Sequence, residues 1–351
     1  MPTFRHLHTP FRLKNLTLKN RIVMPPMCQY QATDGMPNDW HYVHYVSRAI
    51  GGVGLIIIEM TNVAPNGRIS PRCLGLWNDE QADAFGRIVD GVHAQGAKIG
   101  IQIAHAGRKA QDCPDAIAPS AIHYGKLDFD GQNLITPRAM SVQEIDDTIA
   151  AFAASARRAV AAGFDVIELH GAHGYLIHQF SSPKSNVRDD DYGQDKFLFG
   201  EKVIQAVKAV MPDDMPLIIR ISAQEYGENG YDSDYGVLMA QRFAKAGVDM
   251  IHVSGGGDGV LAKGYHPAFG AGYQVGLANT IKQATGLPVI AVGMLDNPLV
   301  ADFVLESEQA DLVAVGRGLL RDPHWWLNAQ RDLGQTAQEM QDLPSSYARG
   351  Y

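Results

Sequence analysis

Cysteine is scarce in this sequence. The 351 residues hold three, Cys28, Cys73 and Cys113, too far apart for a disulfide framework and without the spacing of a zinc or iron–sulfur site. No metal centre is expected, and a reducing cytoplasm is the expected compartment. Long apolar runs are also missing. None approaches the roughly 18 residues that span a bilayer. The opening stretch "MPTFRHLHTPFRLKNLTLKNR" contains no apolar segment of the signal-peptide kind. Positive charge never gathers: the formal net charge is −8 and no block of Lys or Arg occurs. Nucleic acid and anionic membrane surfaces are therefore not expected partners. Nor does a "GxGxxG" follow the first strand-like segment, which argues against a doubly wound dinucleotide fold.

What is present is a repeating alternation. Short runs rich in Val, Ile and Leu stand at 22–24 (weakest), 54–59, 98–103, 165–170, 217–222, 250–254, 289–293 and 312–316. Most are apolar throughout, as parallel strands buried on both faces should be. Helical segments separate them. One opens at Asp79 as capping residue and stops before Gly96. Another opens at Ser141, three residues before Glu144 in a capping-box pattern, and closes at Gly163. Eight such units without a linker predict one α/β domain over residues 1–351, a TIM (β/α)8 barrel. Two irregular stretches, 104–140 and 171–196, are longer than connections usually are, and loops of that length tend to carry function.

In such a barrel the chemistry lies at the C-terminal ends of the strands. Gly293 and Gly316 end the seventh and eighth segments. Such glycines can merely terminate strands, but with Arg317 beside them they read as a phosphate site. After the fourth segment comes "ELHGAHGYLIHQF", which sets His170, His173 and Tyr175 close together. The two histidines have three readings: a structural pair, a weak "HxxH" metal site, or neutral donors to a carbonyl oxygen. Under the last, Tyr175 is a proton donor, since a phenol with a pKa of about 10 is protonated at neutral pH.

The motifs "RIVMPPMCQY", "GRIS", "GIQIAHAGRKA", "ELHGAHGYLIHQFSSPKSN", "VGM", "VGRGLLRDP" and "YARGY" together resemble the Old Yellow Enzyme family of FMN-dependent ene-reductases, and within it the short bacterial YqjM-like (thermophilic-like) subgroup. The resemblance spans nearly the whole chain. It implies that Pro25, Pro26, Met27 and Cys28 line the flavin ring and that Met60 approaches it by its backbone. Gln102 bonds the pyrimidine edge, Arg220 sits by N1 and O2, and Arg317 takes the phosphate with Gly293 and Gly316 beside it. It also implies that His170 and His173 clamp a substrate carbonyl, that Tyr175 donates the proton, and that Tyr30 caps the pocket. Arg349, in a tail from about 340 to 351, would enter the pocket of an adjacent subunit, making the protein a homodimer or homotetramer. The implied activity is ping-pong reduction of α,β-unsaturated aldehydes and ketones by NADPH or NADH, that of an NADPH dehydrogenase. After "SNVRDDDYG" the chain departs from the family by a shorter loop. Two other readings stand beside this one: a flavin-free phosphate-binding aldolase or isomerase, which would be colourless, and a non-catalytic flavin-binding protein, which would not turn over an enone.

Overall fold

A computed structural model describes residues 4–111, 113–125, 135–259, 261 and 269–351. The eight apolar segments form parallel strands: β1 Ile22–Met24, β2 Leu55–Asn62, β3 Lys98–Ala104, β4 Val166–Gly171, β5 Leu217–Ser222, β6 Met250–Ser254, β7 Val289–Ala291 and β8 Leu312–Ala314. They pair in sequence order, and β8 closes on β1 through Val313 and Ile22, giving a TIM barrel. The outer helices are α1 Asp39–Ile50, α2 Asp79–His93, α3 Val142–Ala161, α4 Leu198–Lys208, α5 Ser233–Ala246, α6 Val275–Thr285, α7 Pro298–Glu306 and α8 Trp325–Asp332.

Local chemistry sets the boundaries. Ser141 and Glu144 satisfy each other's backbone N–H groups at the start of α3, as their spacing predicts. The cap of α2 is Asn78 and not Asp79. Its side chain accepts the Gln81 N–H while Gln81 accepts the Asn78 N–H, so the reciprocal contact falls one residue earlier. Strand β2 also runs past Glu59, through a register shift between Ile58 and Thr61. Such a bulge re-aims side chains.

The strands' two-residue period sorts their side chains. One set, including Ile56, Ile101, Ile167, Ile219 and Ile251, packs outward against the helices. The other fills the bore. At its lower end Leu55, Val166, Ile218, Met250 and Ile290 pack with Leu16 and Leu18 of a hairpin, Phe11–Leu13 paired with Leu16–Leu18, that the sequence pattern does not reveal. Two residues further along the same faces stand Glu168, Arg220 and His252, and two further still His170, Ser222 and Ser254. The bore is thus apolar at one end and polar at the other, where the strands finish.

Candidate active site

His170 ends the β4 face that carries Val166 and Glu168. Its Nδ1 accepts the Ala172 N–H at 3.3 Å, so Nε2 carries the ring proton. His173 follows in the left-handed region at φ 57°, a conformation few non-glycine residues adopt. It is held by its own N–H donating to Ser222 Oγ at 3.0 Å. Its ring packs edge-on to His170 at 5.3 Å, and its Nε2 meets Ser254 Oγ at 2.8 Å. Gly257 makes room for this turn: a Cβ there would stand 2.6 Å from the His173 Cα. Burial, reinforced by the Arg220 guanidinium, drives the pKa of both imidazoles well below the ordinary histidine value. Both rings are therefore neutral.

The Tyr175 ring lies 4.7 Å from that of His170. Burial raises its pKa well above the usual phenol value, so it keeps its proton. The Lys109 ammonium sits 5.0 Å over the same ring and donates to the carbonyls of His173, at 2.5 Å, and Gly257, at 2.7 Å. Beside Tyr175 runs an apolar wall of Met60, Ile69 and Ala106, joined by half-buried Cys28 and Tyr30. Burial holds the Cys28 thiol and Tyr30 phenol protonated. Tyr30 too has a left-handed backbone, at φ 53°.

A cavity of about 310 Å³ opens at the polar end of the bore. Its lining includes Pro25, Pro26, Met27, Arg220, Gly293, Gly316 and Arg317, all expected from the sequence to meet a cofactor. Ser254, which touches His173, lines it as well, so the cavity and the histidine pair share a wall. Arg220 supplies the test of fit. It is 8% exposed, its Nε has no hydrogen-bond partner, and burial lowers its pKa. A buried guanidinium with an unanswered N–H calls for an acceptor or an anion. The carbonyl-bearing edge of a flavin ring, which gains negative charge on reduction, would meet that need.

Other expected residues fall elsewhere. Gln102 does not line the cavity; its Nε2 donates to Glu168 Oε1 at 2.7 Å. Cys28, Tyr30 and Met60 belong to the apolar wall. Arg349 is exposed in the turn Ser345–Gly350, far in sequence from every strand end. Its neighbours Tyr347 and Tyr351 rest on His324 and Asn328 of the same chain. Sequence reasoning missed Ser254, Tyr273 and Met294, which line the cavity, and His252, whose Nδ1 meets Glu168 Oε2 at 2.7 Å. The alternation along β6 could have revealed His252 and Ser254. The left-handed backbone of Met294, φ 54°, leaves no sequence signal. Among the described residues no group of three or more His, Cys, Asp or Glu could hold a metal ion. No helix among them is long and apolar enough to cross a membrane.

The chain resembles known proteins along most of its length. It is 43% identical over 352 residues to an NADPH dehydrogenase of Bacillus subtilis, covering 99% of each chain. With an NADPH dehydrogenase of a Geobacillus strain it shares 44% over 335 residues, covering 94% of this chain and 95% of that one. Among solved structures, morphinone reductase in complex with tetrahydroNAD superposes with a TM-score of 0.77 at 28% identity, over 92% of this chain and 91% of the other. An old yellow enzyme homologue from Zymomonas mobilis gives 0.80 at 25% identity, over 94% and 93%. Residues 6–336 match the model of the NADH:flavin oxidoreductase / NADH oxidase family. The chain therefore belongs to that family, the Old Yellow Enzyme family, whose barrel it shares.

Proposed function

We propose that this protein is an FMN-dependent ene-reductase that draws on NADPH or NADH to reduce the activated C=C bond of α,β-unsaturated aldehydes and ketones. The observation that carries the reading is the cluster of His170, His173 and Tyr175, two neutral donors and one protonated phenol, beside the cavity that holds Arg220. FMN, when bound, would supply the hydride-transfer chemistry that links the nicotinamide to the β-carbon of the second substrate. The protein's own residues do the rest. The ring N–H groups of His170 and His173 bind the carbonyl oxygen and stabilise the negative charge that grows there. Tyr175 delivers its proton to the α-carbon. Pro25, Pro26, Met27 and Arg220 would hold the flavin ring, and Arg317 with the turns at Gly293 and Gly316 would hold its phosphate. Cys28, Met60 and Tyr30 shape an apolar pocket that keeps water from the reacting carbons. Family membership disfavours a flavin-free aldolase or isomerase.

In this reading residues 1–351 form one FMN-binding domain, housed in the cytoplasm. A symmetric homodimer or homotetramer forms when the tail after about residue 340 crosses to a neighbour and places Arg349 near that subunit's Tyr30. The exposure of Arg349 on its own chain is consistent with that placement.

Replacing His170 and His173 together by Ala tests the central claim. FMN should stay bound, while enone reduction in stopped flow slows by two orders of magnitude or more, since one oxyanion donor is typically worth about 3 kcal/mol. Wild-type rates in that variant would remove the carbonyl clamp. Deleting residues 347–351 tests the tail: enone binding should weaken and the particle mass in light scattering should fall, with FMN retained.

A further inference from the structure

Midway up the bore lies a polar layer in which two members, Glu168 and His252, have no part in the reaction as described. Gln102, Glu168, Arg220 and His252 are all buried there, at 1%, 1%, 8% and 0% exposure. The strand register fixes their places: Gln102 pairs with Glu168 across β3 and β4, and Arg220 pairs with His252 across β5 and β6. Glu168 is the hub. One oxygen accepts the Gln102 amide at 2.7 Å and the other meets His252 Nδ1 at 2.7 Å. Burial and the nearby Arg220 keep the His252 imidazole neutral, and facing a carboxylate oxygen its Nδ1 is the donor. Arg220 feels Glu168 as the leading charge that favours its protonated form.

A carboxylate in a barrel interior costs several kcal/mol. One layer down, the same strand faces carry Val166, Ile218 and Met250, which show what packing alone selects. Glu168 acts on two residues: Arg220, which lines the cavity, and Gln102, which the family resemblance assigns to the flavin's pyrimidine edge. Its hold on the Gln102 Nε2 leaves the amide carbonyl as the prong able to accept from a ring N–H. Its negative charge opposes that of the guanidinium. Reduction adds negative charge to a bound flavin, so a nearby cation favours the reduced form and a nearby anion opposes it.

We propose that Glu168 is a positioning residue for the cofactor: it orients Gln102 and offsets Arg220, and so holds down the reduction potential of bound FMN. The proposal rests on the reading that Gln102 and Arg220 face the flavin. Spectroelectrochemical titration of wild type, Glu168→Gln and Arg220→Ala separates the two claims. Glu168→Gln should shift the oxidised/reduced equilibrium about tenfold toward the reduced form, a rise of about 30 mV for a two-electron couple. Arg220→Ala should lower the potential. If Arg220→Ala lowers it while Glu168→Gln leaves it unchanged or lower, the role of Glu168 is overturned and the site reading stands. If neither variant moves the potential with FMN fully bound, both fail. Should Glu168→Gln not fold, Glu168→Asp keeps the charge and draws it away from Gln102. The apoprotein should then bind FMN with a dissociation constant about tenfold higher, and an unchanged constant overturns the positioning.

Discussion

A histidine can serve as a charge or as a neutral donor, and burial decides which. His170 and His173 titrate far below their ordinary value. Enone kcat/KM should therefore show no inflection near pH 6.5 from this pair, and a pH profile in wild type checks this. Ser254 is the outer support of His173. Ser254→Ala removes one hydrogen bond of about 1 kcal/mol, so enone KM, measured on flavin-saturated enzyme, should rise roughly fivefold. His170, His173 and Tyr175 were legible in the sequence because they stand within one short stretch. Ser254 was not, because its partner is 81 residues away along the chain and only the barrel's curvature joins them. The same holds for Gln102. Its place at a strand end is legible, but nothing in its own neighbourhood foretells the bond to Glu168.

Elements buried on both faces announce themselves, and elements buried on one end do not. All eight barrel strands were readable because each is a nearly unbroken apolar run between turn residues. The hairpin of Phe11–Leu13 and Leu16–Leu18 was not, since exposed Arg12 and Thr17 interrupt its two strands and leave no apolar run. Yet Leu16 and Leu18 are 2% and 0% exposed and close the lower end of the bore. Leu18→Ala should therefore destabilise the fold by about 2–5 kcal/mol in urea titration. The kinetic constants of the folded fraction should be unchanged, because the hairpin is at the opposite end from the histidines. The extension of β2 beyond Glu59 was missed for another reason. A bulge interrupts the period on which strand reading depends.

Across the whole molecule, Glu59 links three parts. It sits at the bulge of β2, accepts the Tyr45 hydroxyl of α1 at 3.0 Å, and accepts the Gln29 N–H at 2.7 Å from the loop that carries Tyr30. Burial pushes its pKa to about 7 from 4.5. A group raised on folding favours the fold while protonated. Its contribution is present in full below about 4.5 and is lost as pH rises through about 7. Between pH 5 and 8 it should weaken the folded state by about 3 kcal/mol. Glu59→Gln should flatten that part of the stability profile, measured by urea unfolding at several pH values. An equally steep profile in the variant would assign the slope to other groups.

The seam where β8 meets β1 has a consequence for how the molecule comes into being. Val313 and Ala314 pair with Ile22 and Val23, and the cavity takes one wall from Pro25, Pro26 and Met27 and another from Gly316 and Arg317. A ribosome delivers the first wall early and the second only after nearly the whole chain has emerged. Until then the first strand has one free edge and no partner for it. The nascent protein must be kept from pairing that edge with a stranger, and its flavin has nowhere to settle until translation has passed residue 317.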